Sequence, residues 1–250
     1  MSDLSNNSPI ATTPILYIDT TSDRLMLGLS CHGRIIYRYE ELCDSHRYHS
    51  ALMTPAIQGM LSEAGLTAHD LSAVAVNTGP GSFTGVRTGI ITARTMAQFL
   101  PVRVFAFNSF EILALPHNVS NDNQSIPTAV YLNARRGKSF HALLHYKAEG
   151  PVYNREPDLI MLPDDFTTIE SFSTTRSPRI IASDSLRDFL PEQASIQYFS
   201  KMPFTPECML TLIQRYAICF ERPWQAVLPL YLQEPSITLK KPPTPLQESF

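Results

Sequence analysis

The sequence predicts an α/β fold with a mixed sheet, followed by a second, smaller α/β lobe. Three observations predict it. Strand-like apolar runs give way to helical periodicity within the first hundred residues. A glycine turn, Gly79-Pro80-Gly81-Ser82, sits between a buried strand and a helix. Weaker strand–turn–strand signals recur after residue 128.

Taken in order, Ile15-Leu16-Tyr17-Ile18 reads as a buried strand, Arg24–Cys31 as a second and Gly33–Glu41 as a third. The last two are joined through a short Cys31-His32-Gly33 turn. The period then changes. Leu52, Met53, Ala56, Ile57, Met60, Leu61 and Ala64 mark one face of an amphipathic helix, with Pro55 near its first turns and Gly65 ending it. Leu71–Val76 is a strand, and a helix from about Phe83 to Phe99 leads to the strand Val102–Phe105. In the second half, Ala129–Leu132 and Ser139–Tyr146 read as strands around Arg135-Arg136-Gly137, and Arg179–Ala182 as another. A short helix near Asp184–Leu190 precedes a longer one at about Pro206–Phe220. No sequence repeat relates the two halves. The expected organisation is a disordered leader (1–13), an N-terminal lobe (14–110), a second lobe (111–234) whose last helix packs back on the first, and a flexible tail (235–250).

Composition narrows the function. With 44% hydrophobic and 17% charged residues the 250-residue chain fits a soluble globular protein, and the tail's four prolines and two lysines explain its assignment. A net charge of -3 argues against a broad basic surface that grips nucleic acid unaided. The basic spots at Arg135, Arg136, Lys138, Lys240 and Lys241 read as solvated surface. Cys31, Cys43, Cys208 and Cys219 show no framework spacing, so reduced thiols and a cytoplasmic location are expected. No signal peptide and no apolar run of membrane-spanning length is present.

Two features carry chemistry, each with a bland alternative. Asp19-Thr20-Thr21-Ser22 lies between the first two strands, where a carboxylate and hydroxyls suit either phosphate and magnesium or a self-bonded hairpin turn. The turn from Gly79 through Gly81 to Ser82 points backbone N–H groups at one spot, a phosphate-shaped arrangement that lacks the lysine of a Walker loop. Ser82 or Thr84 capping the helix explains it equally well. Behind the turn, Gly85, Gly89, Ala93 and Ala97 recur every four residues. Two helix glycines cost roughly 1 kcal/mol each relative to alanine, so a close neighbour is expected, either this chain's own sheet or a partner. His46 and His49 lack a third ligand and read as surface residues, and Asp164-Asp165 as a helix cap. No catalytic set assembles, since Ser82 lies outside a G-x-S-x-G elbow.

Ile18-Asp19-Thr20-Thr21-Ser22, His49 at the head of a helix, the block GPGSFTGVRTG from Gly79 to Gly89, and Asn108-Ser109-Phe110-Glu111 together closely resemble the TsaB (YeaZ) family. The match is dense over about residues 14–115 and extends loosely through Asn133-Ala134-Arg135-Arg136-Gly137 and Leu230-Tyr231-Leu232. The resemblance implies a two-lobed actin/hexokinase/Hsp70-like fold (ASKHA, RNase H-like) and a non-catalytic subunit of tRNA threonylcarbamoyladenosine biosynthesis. It implies pairing with the TsaD transferase, or with a second copy as a dimer, through the helices spanning roughly His49–Ala64 and Ser82–Phe99. The ATPase TsaE joins that complex, and tRNA is met only through it. On this reading Leu52, Ala56, Met60, Gly85, Val86, Gly89, Ile90, Ala93 and Ala97 form the partner interface. Asp19, Thr20, Thr21, Gly79, Gly81 and Ser82 are the candidates for nucleotide or phosphate. The resemblance implies that no cofactor or metal is required and leaves room for ATP or ADP binding in the complex. The chain departs from the pattern in three ways. His46-x-x-His49 replaces the HxxxH metal pair of the catalytic relative, and Asn133 and Lys138 stand where acidic residues are usual. The rival functions are an ATP- or phosphate-handling enzyme using Asp19 and the glycine turn, and a metallopeptidase.

Overall fold

β1 (Ile15–Asp19) is buried along its whole length, which its run of apolar residues dictates. The computed structural model describes residues 12–42, 46–118, 126–162, 178–190, 196–200 and 202–233. Most of the expected leader, the tail, Cys43 and the Asp164-Asp165 pair lie outside these residues, as do the side chains of His46 and His49. β1 pairs antiparallel with β2 (Arg24–Cys31), which pairs antiparallel with β3 (Arg34–Leu42). Between β2 and β3 His32 and Gly33 both take positive φ, at 53° and 74°, the backbone that a tight hairpin demands. α1 (His46–Glu63) carries Pro55 on its exposed side. β4 (Ala73–Asn77) runs parallel to β1, and β5 (Arg103–Phe107) parallel to β4. α2 (Phe83–Phe99) lies between them in sequence, and α3 (Ser109–Asn118) follows β5.

The second half builds the same pattern again. β6 (Thr128–Arg135), β7 (Lys138–Lys147) and β8 (Gly150–Met161) form an antiparallel meander. β9 (Arg179–Ser183) then runs parallel to β6, and β10 (Ile196–Phe199) parallel to β9. α4 (Thr205–Phe220) and the two-residue β11 (Glu221–Arg222) return to the first sheet. The sheet orders are β11-β5-β4-β1-β2-β3 and β10-β9-β6-β7-β8. Each is a three-strand meander extended by parallel strands beside its first member. This duplicated mixed α/β sheet is the two-lobed actin/hexokinase/Hsp70-like architecture, repeated in space although no sequence repeat announces it.

Three apolar clusters hold the layers. One face of the first sheet packs on α1 and α2 through Leu16, Ile18, Val74 and Val76 against Met53, Ile57, Val86 and Ile90. The other face (Tyr17, Phe105, Phe107) shares a core with α3, α4 and Val130, Leu132 and Phe140 of the second sheet. α4 thus lies on the first sheet, against β1, β2, β3 and β5, and against α3. The second sheet's far face makes a smaller cluster around Tyr131, Leu143 and Ile180. Two local expectations change. The short helix near Asp184–Leu190 is a 3-10 turn, Asp184–Phe189. β8, unread in the sequence, is an edge strand with alternating exposure and Pro157 in it, a residue only an edge tolerates.

Candidate partner surface

The glycine–alanine stripe of α2 faces inward. Gly85, Val86, Gly89, Ile90 and Ala93 are buried, and a Cβ built on Gly85 would collide with the Thr20 carbonyl oxygen. At Gly89 the same atom would stand 2.6 Å from Thr20 Oγ1 and 3.5 Å from Ile18 Cγ2. Thr20 Oγ1 in turn donates to the Gly85 carbonyl at 2.7 Å. The expected interface residues are therefore corrected: Gly85, Val86, Gly89, Ile90 and Ala93 dock α2 on this chain's own β1, and Met60 is buried in the same cluster. Leu52, Ala56 and Ala97 are half-buried at its margin. The spacing read from the sequence was real, but its close neighbour is internal.

The phosphate candidates meet a similar fate. Asp19 has no exposed surface, and its carboxylate accepts four hydrogen bonds. Oδ1 receives the Thr21 N–H at 2.9 Å and its hydroxyl at 2.8 Å; Oδ2 receives Asn77 Nδ2 at 2.9 Å and the Thr205 hydroxyl at 2.6 Å. Those partners come from β1's own turn, the end of β4 and the start of α4, so the carboxylate ties three elements together. The turn amides are directed inward as well. Gly79 N–H donates to Asn77 Oδ1 at 3.0 Å, Ser82 N–H to the Thr21 carbonyl at 2.6 Å, and Gly85 N–H to the capping Ser82 Oγ at 3.4 Å. Gly81 leaves no room for a side chain over the Thr21 carbonyl. The C-terminal stretch closes the other side: Leu230 N–H donates to the Thr78 carbonyl at 2.8 Å, and Tyr231 stacks on Phe83 at 4.7 Å with Arg87 over the same ring. As arranged, Asp19, Thr20, Thr21 and Gly79 form a buried knot, with Gly81 exposed and Ser82 partly buried at its rim, and the Asp19 carboxylate is fully buried.

The second hairpin carries the departures. Asn133 accepts the Arg135 N–H on Oδ1 at 2.7 Å and donates from Nδ2 to Ser185 Oγ at 2.8 Å, fastening the hairpin to the 3-10 turn. Arg135 and Arg136 are exposed in left-handed backbone, and Lys138 opens β7. Among the described residues no three His, Cys, Asp or Glu side chains converge on a metal site. No helix of the described residues is long and apolar enough to cross a membrane.

What remains exposed is the outward face of α1 and α2. On α1 it comprises Ala51, Thr54, Pro55, Gln58, Gly59 and Ser62, with Glu63 exposed at the helix end; on α2 it comprises Thr84, Arg87, Ile91, Thr95, Gln98 and Phe99. Ile91 is 61% exposed and Phe99 74%. From Ala51 to Ser62 the sequence holds no charged residue, and from Phe83 to Phe99 only Arg87 and Arg94. Solvated helix faces are normally rich in Lys and Glu, and their depletion marks interface centres. Gly59 has nothing within 4 Å of where its Cβ would stand, so among the described residues no neighbour accounts for a helix-interior glycine. Neither Gly59 nor Ile91 was singled out from periodicity, which finds the face turned to the core. The missing charge on the opposite face was the legible signal.

Comparison with known proteins agrees with this architecture. Residues 43–154 match the family model described as TsaD: tRNA N6-adenosine threonylcarbamoyltransferase. Over 151 residues the chain is 34% identical to the Bacillus subtilis tRNA threonylcarbamoyladenosine biosynthesis protein TsaB, covering 60% of this chain and 63% of that one. The Escherichia coli protein of the same description is 27% identical over 150 residues, again 60% and 63%. The chain thus matches somewhat under two thirds of the length of these relatives. YeaZ from Pseudomonas aeruginosa superposes with a TM-score of 0.67 at 19% identity, over 88% of this chain and all of that chain, which shows the fold. A second Pseudomonas aeruginosa structure, described as similar to peptidase YEAZ, gives 0.69 at 20% over the same shares. With its glycine block, its paired sheets and these relatives taken together, the chain resembles the TsaB (YeaZ) proteins over that part of their length and shares the fold of the YeaZ structures.

Proposed function

We propose that the chain is a non-catalytic subunit of the tRNA threonylcarbamoyladenosine machinery. It binds a TsaD homologue through the outward face of α1 and α2 and supports that transferase together with a TsaE homologue. A second copy of the chain uses the same face when the partner is absent. The observation that carries the reading is the charge-poor face itself, which presents Gly59 and the exposed Ile91, with nothing among the described residues over Gly59. The Asp19 knot supports a scaffold role, since every oxygen of its carboxylate is already committed to the fold. No cofactor is assigned to the chain alone, and tRNA is reached through the complex.

The test is co-elution with the cognate TsaD homologue for Gly59→Arg and Ile91→Arg. Both positions are exposed, so each variant folds while losing the partner, and the reconstituted tRNA modification falls with it. Wild-type affinity in both variants would remove this face from consideration. ATP turnover by the isolated chain that disappears in Asp19→Ala would instead favour an enzyme.

A further inference from the structure

The tip of the β6–β7 hairpin carries more charge and more backbone strain than a turn needs. Arg135, Arg136 and Gly137 take φ of 67°, 55° and 71° in succession. Arg135 lies where the register of the two strands slips, and Arg136-Gly137 is the two-residue turn between Arg135 and its pair Lys138. Such a turn wants positive φ at both central positions, which Asn or Gly adopts with least strain, and a left-handed bulge residue is ordinarily glycine. This chain has arginine at both 135 and 136. Nothing in the fold compensates: both are exposed, and among the described residues neither side chain has a hydrogen bond, ion pair or ring contact. The strained backbone is instead fastened from beneath. Asn133 Oδ1 accepts the Arg135 N–H at 2.7 Å, Asn133 Nδ2 donates to Ser185 Oγ at 2.8 Å, and the Gly137 carbonyl accepts the Leu162 N–H at 3.0 Å. Asp184, next to Ser185, is already engaged by Arg187 at 2.7 Å. With the half-buried Lys138, three cations fall within four residues of a chain whose net charge is -3.

We propose that this hairpin tip is an RNA phosphate contact, in which a braced turn presents Arg135, Arg136 and Lys138 to the phosphodiester backbone. Backbone outliers held in place by their surroundings concentrate at functional positions, and here the strain serves presentation. Guanidinium groups meet phosphate oxygens with paired N–H donors. Contact with a nucleic-acid backbone needs cations on a rigid support and no apolar anchor. The centre of a protein–protein contact needs such an anchor, and from Asn133 to Lys138 no exposed side chain is apolar. The acidic remainder of the chain limits the tip to a local contact that positions RNA within an assembly, not one that captures it alone. The choice of RNA as the polyanion rests on the function proposed above; the presence of the anion-binding tip does not.

An RNA stem-loop titrated into the ¹⁵N-labelled full chain at low salt, read by amide shifts, tests the contact. The amides of residues 133–139 are expected to shift, and affinity should fall along a log–log salt slope of about -2 to -3, as three phosphate contacts require. Inorganic phosphate at matched ionic strength should leave those amides in place. In the double variant Arg135→Gly, Arg136→Gly the slope should shrink by about 1.5 and the affinity by at least about tenfold. Its unfolding midpoint should hold or rise, because glycine takes positive φ without strain. Co-elution with the TsaD homologue belongs to the α1–α2 face and should not change, so a failure of that face and a failure of the tip are told apart. Shifts that miss 133–139, shifts reproduced by free phosphate, or RNA binding retained in the double variant each overturn the contact. A lower unfolding midpoint would overturn it by making the arginines part of the fold, and lost co-elution by assigning the tip to a protein partner.

Discussion

Thr20 and Gly85 hold each other in place: the Thr20 hydroxyl donates to the Gly85 carbonyl at 2.7 Å, and the Thr20 carbonyl fills the space a side chain at 85 would need. The obstacle is backbone, which cannot swing aside. Gly85→Ala should therefore destabilise the chain by at least about 2 kcal/mol despite alanine's better helix propensity. Gly59→Ala, with open space around it, should be neutral or stabilise by up to about 1 kcal/mol. Urea denaturation of the two variants side by side checks this. Equal stability would mean that α2 does not seat on β1 as described.

Asp19 makes the same region dependent on a buried polar group. Replacing it by Ala leaves the Thr21 N–H and hydroxyl, Asn77 Nδ2 and the Thr205 hydroxyl without their acceptor. The expected loss is about 3 kcal/mol or more, because stranded buried donors cost more than the net worth of their bonds. Thr205→Val removes one donor and frees α4 from the knot, for about 1–2 kcal/mol. Both are read from the midpoint of chemical unfolding. A loss of binding or turnover in Asp19→Ala with unchanged stability would point to a ligand role instead.

The elements up to β5 were legible because each has a clear period: all-buried strands in β1 and β4, a half-buried helix in α1, a glycine turn before α2. Which neighbour a face meets was not legible. Gly85, Gly89 and Ala93 announce close packing, yet spacing is identical whether a sheet or a partner fills the groove. β8 escaped notice since an edge strand exposes alternate residues and admits Pro151 and Pro157. Asp19 read as a ligand group because two of its four hydrogen bonds come from Asn77 and Thr205, residues distant in sequence. Only the fold brings Thr205 to it, across 186 positions.

His141 sets an acid limit on stability. It is fully buried on β7 beside Tyr131, ring centroids 4.7 Å apart, and among the described residues neither ring nitrogen has a hydrogen-bond partner. Burial first, and the field of Arg155 second, push it down to about 3 from an ordinary 6.5. The unfolded chain thus takes up a proton that the folded chain refuses. Stability is fully present above pH 6.5 and is lost as pH falls toward 3, by up to about 5 kcal/mol from this residue. In His141→Phe, which keeps an aromatic ring against Tyr131, the acid limb should flatten between those values while stability at pH 8 changes little. Thermal unfolding across that range decides it. An acid limb of wild-type slope in the variant would assign the loss to other groups.

The composition of the α1–α2 face also fixes how its association should respond to salt. Ala51, Thr54, Gln58, Gly59, Thr84, Ile91 and Thr95 bring no charge to it, and Arg87 is already engaged over Phe83 at 4.6 Å. Electrostatic steering and rim ion pairs weaken steeply as the Debye length shrinks from about 10 Å at 0.1 M to about 3 Å at 1 M, whereas burial of apolar and neutral polar surface does not. The dissociation constant for the TsaD homologue should therefore shift by less than about threefold between 0.1 and 1 M sodium chloride. Gly59→Arg should abolish binding at every salt concentration, since it would place a bulky cation on the proposed contact face. Binding that collapses at high salt, or that Arg87→Ala alone eliminates, would mean that the partner reads charge elsewhere on the chain. Calorimetric titration over the salt series separates these outcomes.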